Sequence, residues 1–328
     1  MLNILGLGHF HPPNVIDNAF LEALDIGTND AWIMSRVGIR SRRTVLDLDY
    51  VRTTKNQDLR AAKEASHFSN AQTGANAAKL ALERAGVRPD QIGLVVAGDC
   101  SPDTCIPAEA AAVARELGID CPCFDLHSAC STFGSQLHFL SQLGEALPEY
   151  VLTVIPENTT RVTDFSDRSS AILFGDASAA AVVSNRHAGR AKIVHSEFGG
   201  APEGAMDVLI PRMGFFSQEG SRVQKFAIKR MTELYLGCRG KVDPARAERL
   251  VYVGHQANLT MLESVARRCA VQPGRHWYNI DDFGNQAAAG APAVLSQRWD
   301  AIAAGEEIAV VVVGSGLSWS GLLVEFTA

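Results

Sequence analysis

Cys130 stands in a setting suited to nucleophilic chemistry. It lies in Ser128-Ala129-Cys130-Ser131-Thr132-Phe133-Gly134, small residues between a strand-like and a helix-like segment. At a helix N-terminus, free amide N–H groups and the macrodipole favour thiolate over thiol. Small neighbours let a carbonyl carbon approach the sulfur, as nucleophilic attack requires. Taken alone, a cysteine is most often buried and inert, so partners must come from elsewhere in the chain. His255 ends the apolar run Val251-Tyr252-Val253-Gly254 and precedes Gln256-Ala257-Asn258. A lone His of this kind is more often a core residue than a site residue. Asn285 stands in Phe283-Gly284-Asn285-Gln286-Ala287-Ala288-Ala289-Gly290, where the bland role is a helix N-cap. Val313-Gly314-Ser315-Gly316-Leu317-Ser318-Trp319 is either a plain hairpin or a turn whose backbone N–H groups serve an oxyanion.

Strand ends must deliver these groups to one place. Strands are expected at Asn3–Gly8, Ile92–Gly98, Cys123–Leu126, Tyr150–Ile155 and Ala177–Ser184. A second set is expected at Lys192–Phe198, Leu250–Gly254, His276–Ile280, Ile308–Val313 and Leu322–Phe326. Apolar and small residues at three- and four-residue spacing predict a helix over Asn70–Ala85, with Gly86 as its C-cap. Further helices are expected over Ala108–Leu117, Cys130–Leu143, Gln224–Leu236, Leu259–Cys269, and from Asn285 onward. The alternation argues for mostly parallel sheets covered by helices.

The chain reads as a degenerate duplication. Residues 84–96 can be laid over 242–253, and Cys121–Leu126 over Arg275–Ile280. That places the Cys130 and Asn285 turns at corresponding junctions, and ligands in α/β proteins gather at the carboxyl ends of strands. The halves are 1–187, carrying Cys130, and 188–328, carrying His255 and Asn285. Thr44–Gln72 is polar, mixed in charge and hard to read, with helical character over Leu59–Ser66. It is expected to run over the surface or the site mouth.

Composition narrows the function classes. Of 328 residues, 47% are apolar and 20% charged, which excludes a disordered chain. Net charge is 30 − 36 = −6 with both signs dispersed, so nucleic acid is not an expected partner. Seven cysteines, an odd number without the pattern of a disulfide scaffold or a secretory leader, point to reduced thiols and a cytoplasmic enzyme. Apolar runs such as Ile308–Val313 are too short to span a bilayer. Cys121-x-Cys123 and Cys100-x4-Cys105 lack a matching Cys/His pair, so no metal is expected. His9-x-His11 has no acidic neighbour in sequence, Gly6-x-Gly8 lacks the third glycine of a dinucleotide fingerprint, and Asp176 reads as a turn residue.

In combination these segments resemble the 3-oxoacyl carrier-protein synthase III family of thiolase-fold condensing enzymes. The resemblance is carried by Ala31-Trp32-Ile33 with Arg36, Gly38-Ile39-Arg40 and Ser128-Ala129-Cys130. It extends through Asp167-Arg168, Ile172-Leu173-Phe174-Gly175-Asp176, His255-Gln256-Ala257-Asn258, Gly284-Asn285 and the C-terminal glycine-rich turn. It implies an α/β, thiolase-like fold of two duplicated halves, with mixed sheets sandwiching buried helices. Cys130 would be the acylated nucleophile, and His255 and Asn285 the decarboxylation pair whose two N–H donors hold an enolate oxygen. The amides of Cys130 and Ser315 would form the oxyanion hole. Trp32 and Arg36 would contact the adenine end of coenzyme A, and Asn258 the pantetheine arm. Lys225, Arg267 and Arg268 fall where the family docks an acidic acyl carrier protein. The implied substrates are acyl-CoA and a malonyl-type thioester, with no further cofactor and a homodimeric assembly.

Three positions depart from the family pattern. Thr260 stands where a carrier-docking Arg is common, Ile106 where an aromatic caps the acyl pocket across the dimer, and Ser315 where Gly is usual. Thr44–Gln72 is also longer than the matching family segment. These departures point to an unusual acyl donor in a specialised, secondary-metabolite type of pathway. Alternatives are acyl transfer to an alcohol or amine, or joining of two long acyl chains in a pyrone- or alkene-type route. A non-catalytic partner subunit is disfavoured by the intact Cys130, His255 and Asn285 set.

Overall fold

The structure is a computed structural model and describes residues 1–327. Nine strands form one hydrogen-bonded sheet. They are β1 (Asn3–Phe10), β2 (Leu94–Ala97), β3 (Cys123–Asp125), β4 (Val151–Glu157), β5 (Ala177–Ser184), β6 (Ala191–Gly200), β7 (Val251–Gly254), β8 (Glu307–Gly314) and β9 (Ser318–Phe326). Their order is β7-β8-β9-β6-β1-β5-β4-β2-β3. Outward from β1 the strands run first, fifth, fourth, second, third of their set; outward from β6 they run first, fourth, third, second of a four-strand set.

The expectation of mostly parallel sheets is corrected. Only β2–β3, β2–β4 and β7–β8 are parallel, and the five central neighbour pairs are antiparallel. Helical crossovers force parallel pairing, and they occur only toward the two ends of the sheet. Strand β9 instead follows β8 through a tight turn. The expected strand His276–Ile280 is reduced to one parallel bridge, His276 to Tyr252, followed by a short helix at Ile280–Phe283. The β1–β6 seam is narrow, pairing only Asn3 with Lys192 and Ile4 with Ala191.

Seven helices matter for the site: α1 (Asp30–Val37), α2 (Asn70–Ala85), α3 (Glu109–Leu117), α4 (Thr132–Leu143), α5 (Gly220–Arg239), α6 (Leu259–Arg268) and α7 (Gly290–Arg298). Helix α2 starts on a Ser69–Gln72 capping box and stops at Gly86, whose φ of +64° is left-handed. It lies so close to β1 that a Cβ on Gly8 would sit 1.9 Å from the Ala77 carbonyl oxygen. The Gly6-x-Gly8 pair therefore serves helix–sheet packing. Helix α4 packs against β6, β8 and β9, and α7 against β1 and β5. Residues Gly290–Ser296 of α7 are all buried. Each of these two helices thus packs on strands from the other half of the chain. No helix among the described residues is long and apolar enough to cross a membrane.

The 44–72 segment forms two short helices, Leu48–Thr54 and Leu59–Glu64. The Asn56 carboxamide N–H₂ donates to the carbonyls of Thr160, Arg161 and Thr163. Asp176, wholly buried, accepts from Val45 N and from the amide and hydroxyl of Thr160. Asp176 is a structural clamp at a turn, as its sequence context suggested. The segment supplies no residue to the cavity lining described below, and its Val45, Leu46, Val51 and Ala62 are fully buried.

Candidate active site

Cys130 occupies the turn between β3 and α4. Ala129 before it has φ +50°, a left-handed conformation that strains a residue with a Cβ. The strain is held by Ser131 N to Ser128 O (3.2 Å) and Thr132 N to Ala129 O (3.0 Å). A web of serines adds to it: the hydroxyls of Ser128 and Ser131 are 2.8 Å apart, and those of Ser131 and Ser318 are 2.9 Å apart. Ser318 also donates to the carbonyls of Ser128 and Ser315. The nucleophile turn is thereby tied to the C-terminal turn. Gly314 makes the approach possible, since a Cβ there would lie 2.7 Å from Ser128 O and 2.9 Å from Cys130 N. The Ser315 hydroxyl donates to Val208 O at 2.6 Å. No backbone carbonyl among the described residues accepts from the N–H of Cys130 or Ser315.

The Cys130 thiol is held well below the ordinary cysteine value. The causes are a hydrogen bond with the Cys100 side chain, then the charge and hydrogen bond of His255, which together outweigh burial. A thiolate at neutral pH is the reactive form. Cys100, of the Cys100-x4-Cys105 pair, stands just past β2, the parallel neighbour of β3.

His255 follows directly on β7, is 6% exposed, and anchors its backbone N–H on Val311 O. Below it, the Gln256 carboxamide donates to Gly254 O and accepts from Asn279 N. Asn285 sits on a turn gripped by the Leu173–Gly175 segment: its N–H donates to Leu173 O, and its carbonyl accepts from Gly175 N. Its side-chain oxygen accepts from Ala287 N at 3.0 Å. This i to i+2 turn bond takes the carboxamide oxygen and leaves the N–H₂ as the free end. The N-cap position of the short helix that follows is Gln286, so Asn285 is not its N-cap.

A cavity of about 370 Å³ brings Cys130, His255, Asn285 and Ser315 together with Trp32, Arg36 and Asn258. Apolar walls come from Val37, Ile172, Phe174, Phe216 and Met261. Asn258 caps α6 through its side-chain oxygen, which accepts from Met261 N, so its N–H₂ end is the one left to act as a donor. Arg168 lies 4.9 Å and Arg36 5.6 Å from the Trp32 ring centre. Arg168 packs on Trp32 as a tertiary contact between segments distant in sequence, which its Asp167-Arg168 motif does not reveal.

Four expected site residues lie outside this cavity. Ile106 is 85% exposed on its own chain. Lys225 projects from α5, and Arg267 and Arg268 from α6, all exposed, with Arg267 3.8 Å from Glu263. Among the described residues no cluster of His, Cys, Asp or Glu is arranged to hold a metal ion. His9 and His11 are occupied by Ser296 and Gln286. Burial lowers both to about 4, so each is neutral at physiological pH.

Glu157, the last residue of β4, is fully buried without a cationic partner and accepts from Cys100 N (3.0 Å) and Ala288 N (3.2 Å). Burial, then the nearby Cys130 charge, raises its pKa to about 8. Because the folded value is raised, its contribution to stability is complete below about pH 4.5 and is lost as pH climbs through about 8. Urea unfolding of Glu157→Gln should therefore show a shallower loss between pH 5 and 8.5 than the parent, by on the order of a few kcal/mol. Parallel pH profiles for the two proteins contradict this.

The family model for the 3-oxoacyl-[acyl-carrier-protein] synthase III C terminal matches residues 246–326, and the synthase III model itself matches residues 124–202. A beta-ketoacyl-[acyl-carrier-protein] synthase III of Oceanobacillus iheyensis is 30% identical over 325 residues, covering 98% of this chain and 97% of its own. The solved synthase III of Aquifex aeolicus superposes with a TM-score of 0.87 at 26% identity, covering 99% of this chain and all of the other. The priming beta-ketosynthase of the R1128 polyketide pathway gives 0.81 at 27% identity, over 100% of this chain and 96% of its own.

Proposed function

Since the chain belongs to the 3-oxoacyl-[acyl-carrier-protein] synthase III family of condensing enzymes, we propose that it loads an acyl group on Cys130 and condenses it with a malonyl-type thioester. The convergence of Cys130, His255 and Asn285 in one cavity carries this reading. The Cys130 thiolate attacks the acyl thioester and coenzyme A leaves as its thiolate. A malonyl thioester then enters and loses carbon dioxide. The C–C electron pair passes to an enolate whose oxygen accepts from the His255 imidazole and the Asn285 N–H₂. Asn rather than Asp at this position supplies a donor and no base, which favours decarboxylation over proton abstraction. The enolate carbon attacks the acyl-cysteine, and the N–H groups of Cys130 and Ser315 hold the tetrahedral oxyanion. Collapse breaks the C–S bond and returns the thiolate.

The cavity fits a slender thioester arm, with the Asn258 N–H₂ available to an amide carbonyl. The Trp32, Arg36 and Arg168 cluster offers an adenine a stacking plane and cations for phosphates. Lys225, Arg267 and Arg268 present cations to an acidic carrier, and the proposed setting is the cytoplasm. Ile106, Thr260 and Ser315 support an unusual acyl donor. Given an acyl thioester and a malonyl thioester, the enzyme should release carbon dioxide and form a 3-oxo product. An ester or amide formed without carbon dioxide overturns this reading.

The working unit is proposed to be a homodimer. Strand β3 is an open sheet edge whose Phe124 is 44% exposed. Light scattering should give twice the chain mass, and a monomer at micromolar concentration contradicts it.

A further inference from the structure

We propose that the Ser315 hydroxyl is a specificity-determining group of this site: it pins a two-stranded ribbon as a fixed wall beside the reacting sulfur, and so sets how much bulk an acyl thioester can carry next to its carbonyl. This rests on the reading of Cys130 as the acylated nucleophile.

The ribbon pairs Val208–Leu209 with Ser217–Gln218, antiparallel, with Leu209 opposite Ser217 and Val208 opposite Gln218. A two-stranded ribbon this short does not hold its own place in water. Its position is decided by what it is tied to. Val208, Phe216 and Gln218 line the cavity that also holds Cys130, His255 and Asn285. Val208 and Phe216 are half-buried and apolar, so they form wall and not floor.

The ends of the ribbon are held without Ser315. Ala201 and Leu317 exchange backbone hydrogen bonds of 2.7 and 3.0 Å, Glu219 N donates to Asp207 O, and Arg222 pairs with Asp207 at 3.1 Å. Phe216 N donates to Val162 O, and its ring meets Phe174 edge-on with centres 4.6 Å apart. Phe174 in turn bridges to Asn285. The remaining tie reaches the Cys130 side. The Ser315 hydroxyl donates to Val208 O at 2.6 Å. Gly314, one residue earlier, lies against the nucleophile turn, where a Cβ would stand 2.9 Å from Cys130 N. Among the described residues the Ser315 hydroxyl makes no other hydrogen bond, so it takes no part in the serine web of that turn. Its one contact serves the wall, and a glycine here would leave Val208 untied from the turn.

The acyl carbonyl must lie beside the Cys130 sulfur, so the substituents on its α-carbon meet this end of the cavity. A wall that yields accepts straight and branched groups alike. A pinned wall has one width, and turns a difference in bulk into a difference in rate.

The test is the second-order rate constant for loading of Cys130 with butyryl-CoA and with isobutyryl-CoA, which differ only in α-branching, in the parent, Ser315→Ala and Ser315→Thr. The ratio of the two constants is the readout, because a change in oxyanion stabilisation lowers both alike and cancels. The parent should discriminate by about tenfold or more. Ser315→Ala should bring the ratio about fivefold nearer to one, the size of one neutral hydrogen bond. Ser315→Thr, which keeps the hydroxyl, should match the parent. An unchanged ratio in Ser315→Ala overturns the proposal, as does a Thr ratio equal to the Ala ratio. If Ser315→Ala does not fold, the parent still decides, since a parental ratio near one overturns the proposal by itself. Peptide mapping separates the two levels. Acyl groups on a residue other than Cys130 sink the nucleophile reading, whereas acylated Cys130 with an unchanged ratio sinks this proposal alone.

Discussion

Cys130→Ala is expected to take up no acyl label from an acyl thioester and to lose condensation by roughly 10⁴-fold or more. The six other cysteines are poor substitutes. Cys238 and Cys269 are buried, Cys121 and Cys123 lie near the open edge of the sheet, and Cys105 is exposed away from the cavity. Cys100 does not line the cavity, and its surroundings push its thiol up, toward the protonated form. The loss should be chemical and not structural. Cys130 is only half-buried, and the serine web that shapes its turn does not involve the thiol. Unfolding of the variant should match the parent closely, while intact mass after incubation stays unchanged. A labelled Cys130→Ala protein contradicts the assignment of the nucleophile.

Asn285→Ala should split the reaction in two. Acyl loading, which uses Cys130 and its oxyanion donors, should proceed at close to the parental rate. Condensation should fall by about 10²–10³-fold, the cost of one oxyanion-type donor. The argument rests on the Ala287 N–H, which engages the carboxamide oxygen and leaves only the N–H₂ end to face an enolate. The backbone of this turn is held independently by Leu173 and Gly175, so the alanine variant should keep its shape. Loading and condensation falling together contradict a role confined to decarboxylation.

Local signals were the legible part of this chain. Helix α2 runs over the residues expected, Asn70–Ala85, because its cap, its small-residue face and its terminal glycine all lie within its own sequence. Strand β5 likewise matches Ala177–Ser184, a run buried on both faces. Direction and register were not legible. Strand–helix alternation looks alike whether the next strand returns by a crossover or a hairpin, so the antiparallel centre was read as parallel. His276–Ile280 has strand-like residues, yet no neighbour pairs with it beyond Tyr252. At the site, Cys130, His255, Asn285 and Ser315 could be singled out because each stands in a local motif of small or glycine-rich residues or directly follows an apolar run in sequence. Cys100 and Glu157 could not, because their meeting depends on which strands lie side by side. Arg168 was hidden for the same reason.

The central claim is decarboxylative condensation through an acyl group on Cys130, and a single-turnover chase addresses it most directly. The enzyme is loaded with a radiolabelled acyl thioester, freed of excess, mapped by peptide, and then mixed with a malonyl thioester. Label should sit on the peptide carrying Cys130. It should then move into a 3-oxo product two carbons longer, with one carbon dioxide released for each label transferred. Label on another peptide, or departure of the label without carbon dioxide, contradicts it.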